Sequence, residues 1–158
     1  MPTTTLPDPK AIKDLLEGML GRDVDVAIGN PVAPTDCAAM GIFHTDLGQL
    51  SAVVMTDLPL GAFLGASIAL IPVGGAEASV EDGVLAQNLF DNVAEVFNVF
   101  ASVLNEHSDE HQRLVGTSPG VVGAPGDAAE LAGHPANRLD LTVSVAKYGT
   151  GHWSVVLV

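Results

Sequence analysis

The chain has 158 residues, 47% of them hydrophobic, which suits one sizeable core and is too apolar for a disordered acidic tail. Its formal net charge is −13 with only six Lys plus Arg, a balance that excludes nucleic acid and anionic membrane as partners because like charges repel. The lone cysteine, Cys37, excludes an internal disulfide, and no apolar run reaches the roughly 18 residues of a membrane span.

The N-terminus, beginning Met1-Pro-Thr-Thr-Thr, has no basic segment followed by an apolar one. These features predict a soluble, cytoplasmic protein with a single domain over 1–158. Asp8 with Pro9 behind it reads as a helix start, and Gly21 as its stop, with Ile12, Leu15, Leu16 and Met19 inward. Residues 23–29 alternate and read as a strand. Residues 37–44 and 50–56 read as two strands flanking a hairpin turn at 45–48. Residues 58–71 form a short buried helix of small residues, and 72–83 a Gly-rich connection. A long helix spans 84–106. Residues 113–117 form a strand, and 118–136 a Gly/Pro/Ala loop holding at most a short turn. Residues 137–146 and 152–158 pair back across the turn that follows Tyr148, and the last strand, at 153–158, is expected at a sheet edge. An apolar edge of that kind predicts a homodimer.

The order helix, three strands, helix, helix, three strands is nearly one pattern twice, and Glu17 and Glu95 stand 78 positions apart, about half the chain. The fold class is therefore α+β: a pseudo-twofold repeat of helix plus three strands, forming a mainly antiparallel sheet of about six strands with packed helices. In the first helix Leu20 stands where the long helix has Asn98.

The 84–106 helix carries the chemistry. Asn88, Asp91, Glu95, Asn98, Ser102 and Asn105 follow one another at steps of 3, 4, 3, 4 and 3, which places them on one stripe. Leu85, Leu89, Val93, Val96, Phe97, Phe100, Val103 and Leu104 take the opposite face. A face selected only for wetness favours Lys, Arg, Glu and Gln. Here three of six are Asn, which costs roughly 0.6 kcal/mol each against Ala in a helix interior.

Other motifs carry less. Gly116-Thr-Ser118-Pro-Gly120 fits the G-x-S-x-G pattern, but Pro119 lacks the N–H an oxyanion hole needs, so a strand running into a turn is the better reading. His107-Ser-Asp-Glu110-His111 fits an inverted zinc-protease pattern, yet it lies where apolar periodicity ends and reads as a hydrophilic helix end. Gly74-Gly75 lacks the Lys-Ser/Thr of a phosphate loop. Cys37 reads as a small core residue. His44, His134 and His152 are isolated in sequence and read as structural, and no metal site is predicted.

The segment Asp91-Asn-Val-Ala-Glu95-Val-Phe-Asn98, followed 21 residues later by Pro119, resembles the signature of the CheC/CheX family of chemotaxis phosphatases. That signature is Asp or Ser, three residues, Glu, two residues, Asn, and a Pro some twenty residues on. Gly116-Thr-Ser-Pro119-Gly-Val-Val is similar to the family's segment after the helix. The element order is similar to the family's pseudo-twofold fold, shared with the middle domain of the flagellar switch protein FliM. The resemblance implies a phosphatase acting on a phosphorylated CheY-type response regulator. Asn98 would orient the attacking water, and Glu95 would pair with the regulator's active-site lysine. Asp91 and Ser102 would meet the partner. This chain would bind no cofactor, the Mg²⁺ belonging to the regulator. With Leu20 in its first helix the chain resembles the CheX-like members, which carry one Glu–Asn pair and form dimers. It departs from them in the closer spacing of Pro119, in Ser102 where Gly is frequent, and in the length of the 118–136 loop. Two alternatives stay open: a non-catalytic module of the same fold binding a regulator or a flagellar switch component, and an unrelated α+β protein whose stripe packs on a partner.

Overall fold

The computed structural model describes residues 4–106 and 108–158. In chain order the elements are α1 (Pro9–Leu20), β1 (Val24–Ile28), β2 (Cys37–Thr45), β3 (Leu50–Asp57), α2 (Leu58–Ile68), α3 (Val73–Asp82), α4 (Gln87–Glu106), β4 (Gln112–Ser118), α5 (Gly126–Ala132), β5 (Arg138–Val145) and β6 (Gly149–Leu157).

The strands form one six-stranded sheet in the order β1-β5-β6-β3-β2-β4, every adjacent pair antiparallel. Exchanging β1, β2 and β3 for β4, β5 and β6 returns the same order reversed. That invariance is the pseudo-twofold repeat. Its axis runs through the β3·β6 pair, where Val54 faces Val155 and Val53 faces Val156. α1 leads into β1 as α4 leads into β4.

Alternation along the strands divides the core into two. Ala39, Phe43, Val54, Leu141, Val143, Trp153 and Val155 face α1, α2 and α4. Met40, Ile42, Val53, Met55 and Val156 point to the opposite face, under Val32 and the Ala128, Leu131 and Ala132 side of α5. Pro9 and the left-handed Gly21 (φ 67°) bound α1 as expected, although the Asp8 side chain makes no capping hydrogen bond.

Four expectations need correction. The Gly-rich connection at 72–83 contains α3, which buries Ala76 and Ser79 against α2 and closes on Gly83 at φ 73°. Its two early glycines weaken the local signal, and tertiary packing supplies what propensity does not. The long loop at 118–136 contains α5, a helix of 7 residues that covers the far sheet face. The long helix begins at Gln87, leaving Val84 68% exposed ahead of it. The C-terminal strand begins at Gly149, so the expected turn residues Gly149 and Gly151 lie inside it, and it is no edge. β6 is paired on both sides, by β5 and β3, and offers no free backbone for a homodimer. The open edges are β1 and β4.

Candidate functional site

α4 is the longest helix among the described residues, at 20 residues. Its entry is held by α3: the Ser79 hydroxyl donates to the Val84 carbonyl (2.6 Å) and accepts from the Ala86 N–H (2.9 Å). Leu89, Val93, Val96, Phe97, Phe100, Val103 and Leu104 are buried against the sheet and the neighbouring helices. Phe97 and Phe100 meet Trp153 edge-on, with ring centroids 5.8 and 5.1 Å away. Such pairs contribute about 0.5–1.5 kcal/mol each beyond their buried area, which anchors the middle of the helix firmly.

With that face fixed, the stripe points outward. Asn88, Asp91, Glu95, Asn98 and Ser102 are exposed, and Asn105 is half-buried. The stripe is not uniform in its bonding. Gln87 donates to Asp91 (2.8 Å). The Ser102 hydroxyl turns back to the Val99 carbonyl (2.8 Å). Asn105 leaves the stripe's business altogether: its amide donates to the Gln112 carbonyl (3.0 Å) and accepts from the Gln112 N–H (2.7 Å), joining α4 to the start of β4. Among the described residues, the Glu95 and Asn98 side chains have no hydrogen-bond or ion-pair partner.

Side chains three apart on a helix are neighbours, with Cβ atoms about 5–6 Å apart. Glu95 and Asn98 thus present a carboxylate and an amide together, on a rigid surface. No Lys or Arg occurs between Arg22 and Arg113, so nothing in that stretch neutralises Glu95. In the first half-repeat the corresponding glutamate is engaged, because Glu17 accepts from the Val24 N–H (3.1 Å). Leu20 beside it is buried. One unengaged carboxylate–amide pair remains, on α4.

The other motifs resolve into structure. Ser118 ends β4 and its hydroxyl donates to the Gly120 carbonyl, so the G-x-S-x-G stretch is a strand running into a turn. His107 lies outside the described residues. His111 is exposed and pairs with Asp46 (2.9 Å). No three His, Cys, Asp or Glu of the described residues stand close enough to hold a metal ion. Cys37 is half-buried, and burial pushes its thiol from 9.0 up to about 12.

Sequence reasoning missed one polar constellation. Asp57 caps α2 by accepting from the Leu60 N–H (3.0 Å), accepts from the His152 N–H (3.1 Å) and pairs with the His152 ring (2.7 Å). An Asp two residues before Pro59 at a helix start was the available signal. Its partner 95 residues away had none.

No family model matches this sequence, and no curated protein does. Solved structures do. The FliM middle domain from H. pylori superposes with a TM-score of 0.64 at 5% identity, over 94% of this chain and 84% of that one. FliY from Thermotoga maritima superposes with a TM-score of 0.54 at 13% identity, over 92% and 82%. The CheX chain of a CheX–CheY–BeF3–Mg complex from Borrelia burgdorferi is also similar, with a TM-score of 0.47 at 8% identity, over 94% and 93%. The class so defined is the α+β fold of the FliM middle domain, and CheX structures are among its solved neighbours. At these identities the likeness is one of fold.

Proposed function

We propose that the chain is a CheX-like phosphatase that accelerates hydrolysis of the aspartyl phosphate of a CheY-type response regulator. The observation that carries this reading is the Glu95–Asn98 pair: exposed, adjacent on one helix, and without a partner among the described residues. The resemblance of Asp91-x-x-x-Glu95-x-x-Asn98 to the CheC/CheX signature agrees with it.

The chemistry needs little else. An acyl phosphate is already labile, so the helper requires no nucleophile of its own. Water attacks phosphorus in line, the bond from phosphorus to the aspartyl oxygen breaks, and carboxylate and inorganic phosphate leave. A side-chain amide can bond water and a phosphoryl oxygen at once without ionising. Asn98 in that role holds the water, and Glu95 anchors the regulator through its active-site lysine. The Mg²⁺ that neutralises the phosphoryl group belongs to the regulator. Asp91 and Ser102, on the adjoining turns, extend the docking face.

The test is the decay of labelled phospho-regulator, with Mg²⁺, in the presence of wild type and Asn98→Ala. The wild type speeds the decay, and Asn98→Ala loses most of that acceleration, on the order of 10²-fold, while still binding. An Asn98→Ala variant as fast as wild type overturns the water-positioning role.

One observation favours a second reading. The FliM middle domain is the better structural match, and a FliG–FliM complex from H. pylori superposes with a TM-score of 0.57. A non-catalytic module that binds a regulator or a flagellar switch component would use the same α4 face. It would bind the regulator without changing its decay.

A further inference from the structure

α4 contains four asparagines, at 88, 92, 98 and 105, in a helix where each is a poor choice by propensity. Two of them make tertiary bonds on either side of the Glu95–Asn98 pair. Asn92 lies one turn before Glu95 and points off the stripe. Its amide donates to the Gly65 carbonyl of α2 (2.9 Å), half-buried between the helices. Asn105, two turns beyond Asn98, grips both backbone polar groups of Gln112. Gln112 is itself buried and donates to Thr4.

The α2 contact is unusually close. A Cβ on Gly65 would collide with the Leu89 carbonyl oxygen and stand 2.9 Å from its Cα, so the two backbones touch there without side chains between them. A directional hydrogen bond from Asn92 to the same Gly65 adds an orientation-dependent restraint to that packing.

We infer that Asn92 and Asn105 are positioning residues: two amide clamps that hold α4 at a fixed height and rotation, so that the Glu95–Asn98 pair meets its partner preorganised. This inference rests on the phosphatase reading. Displacing a catalytic group by about 1 Å can cost on the order of 10²-fold in rate. Neither clamp touches the reacting atoms.

The experiment uses Asn92→Asp, which keeps the shape and removes the donor, and Asn105→Leu as a second variant. Phospho-regulator decay is measured for each, alone and combined with Asn98→Ala. Each single variant is expected to lower kcat about tenfold, with a smaller change in KM. In the Asn98→Ala background neither should lower kcat further, because both act through Asn98. Loss of folded protein would lower kcat in both backgrounds, and that outcome overturns the inference. So does an unchanged kcat. Amide hydrogen exchange is followed in parallel on the α4 turn at 95–98. Faster exchange in Asn92→Asp is the expected result, and unchanged exchange overturns the clamp. A wild type that does not speed decay removes the phosphatase reading and the catalytic part of this inference with it. A wild type that does, beside an unaffected Asn92→Asp, removes the inference alone.

Discussion

Phe97 rests directly on Gly41: a methyl group at Gly41 would come within 2.9 Å of the Phe97 ring, and equally close to Val54. The turn of α4 that bears Glu95 and Asn98 therefore sits on the one residue of β2 with no side chain, and its depth is set by that absence. Gly41→Ala should push α4 outward and destabilise the protein by about 1–3 kcal/mol, the usual cost of overpacking a filled core. Urea denaturation checks this. A midpoint equal to wild type would mean that the Phe97 ring slips aside at no cost.

Glu95→Ala should act differently from Asn98→Ala. An anchor to a lysine is a charge pair, so its loss should weaken docking several-fold with less effect on the rate once bound. The loss should be larger at low salt, since the Debye length is about 10 Å at 0.1 M and 30 Å at 0.01 M. Titration of a stably phosphorylated mimic of the regulator at both ionic strengths measures it, and a salt-independent effect would exclude the charge pair. Asp91→Ala should do less than either change, because Asp91 lies a turn away and already shares its carboxylate with Gln87.

Asp57 holds three groups of two elements with one carboxylate: the first turn of α2, and the backbone N–H and ring of His152 in β6. Asp57→Ala removes the cap and strands the others, at a cost of about 1–3 kcal/mol. Thermal unfolding reads this as a lowered Tm. An unchanged Tm would show that water replaces the carboxylate.

The Cys37 thiol, raised by burial from 9.0 to about 12, stays protonated where a free thiol ionises. The folded state binds this proton more tightly than the unfolded state does. The stability that follows is present in full below pH 9 and is lost as pH rises towards 12. Cys37 in the native protein should react slowly with a disulfide reagent at pH 8, where the urea-unfolded chain reacts at once. Equal rates in the two states would show that the thiol is not shielded.

Much of the candidate site was legible before any tertiary contact was known. The 3.6-residue period put Leu89, Val93, Val96, Phe97 and Phe100 on one face of α4, and they are buried. The same period put Glu95 and Asn98 outside, and they are exposed. Asn105, read with them, was misassigned in kind: its position on the stripe was right, but its amide is bound to Gln112. Asn92, off the stripe, carries no local signal of its bond, because its partner Gly65 is 27 residues away. The helix α3 was hidden by Gly74 and Gly75, and α5 by the Gly and Pro residues around it. Both depend on surfaces that other elements supply.

Local spacing by itself determined the helix, its two faces and the adjacency of Glu95 to Asn98, because an α-helix fixes neighbours three apart whatever surrounds it. Alternation likewise marked β1 and β5. Only the tertiary structure decided which strand lies inside the sheet and which asparagines are held and which are free. Strand order joins residues as distant as Val24 and Val145, and no local pattern encodes such a pairing. β6, apolar enough to suggest an exposed edge, is apolar because it is central, covered on both faces and paired on both sides. Burial on two faces and exposure of an unprotected edge write the same run of residues, and the chain's global closure chooses between them.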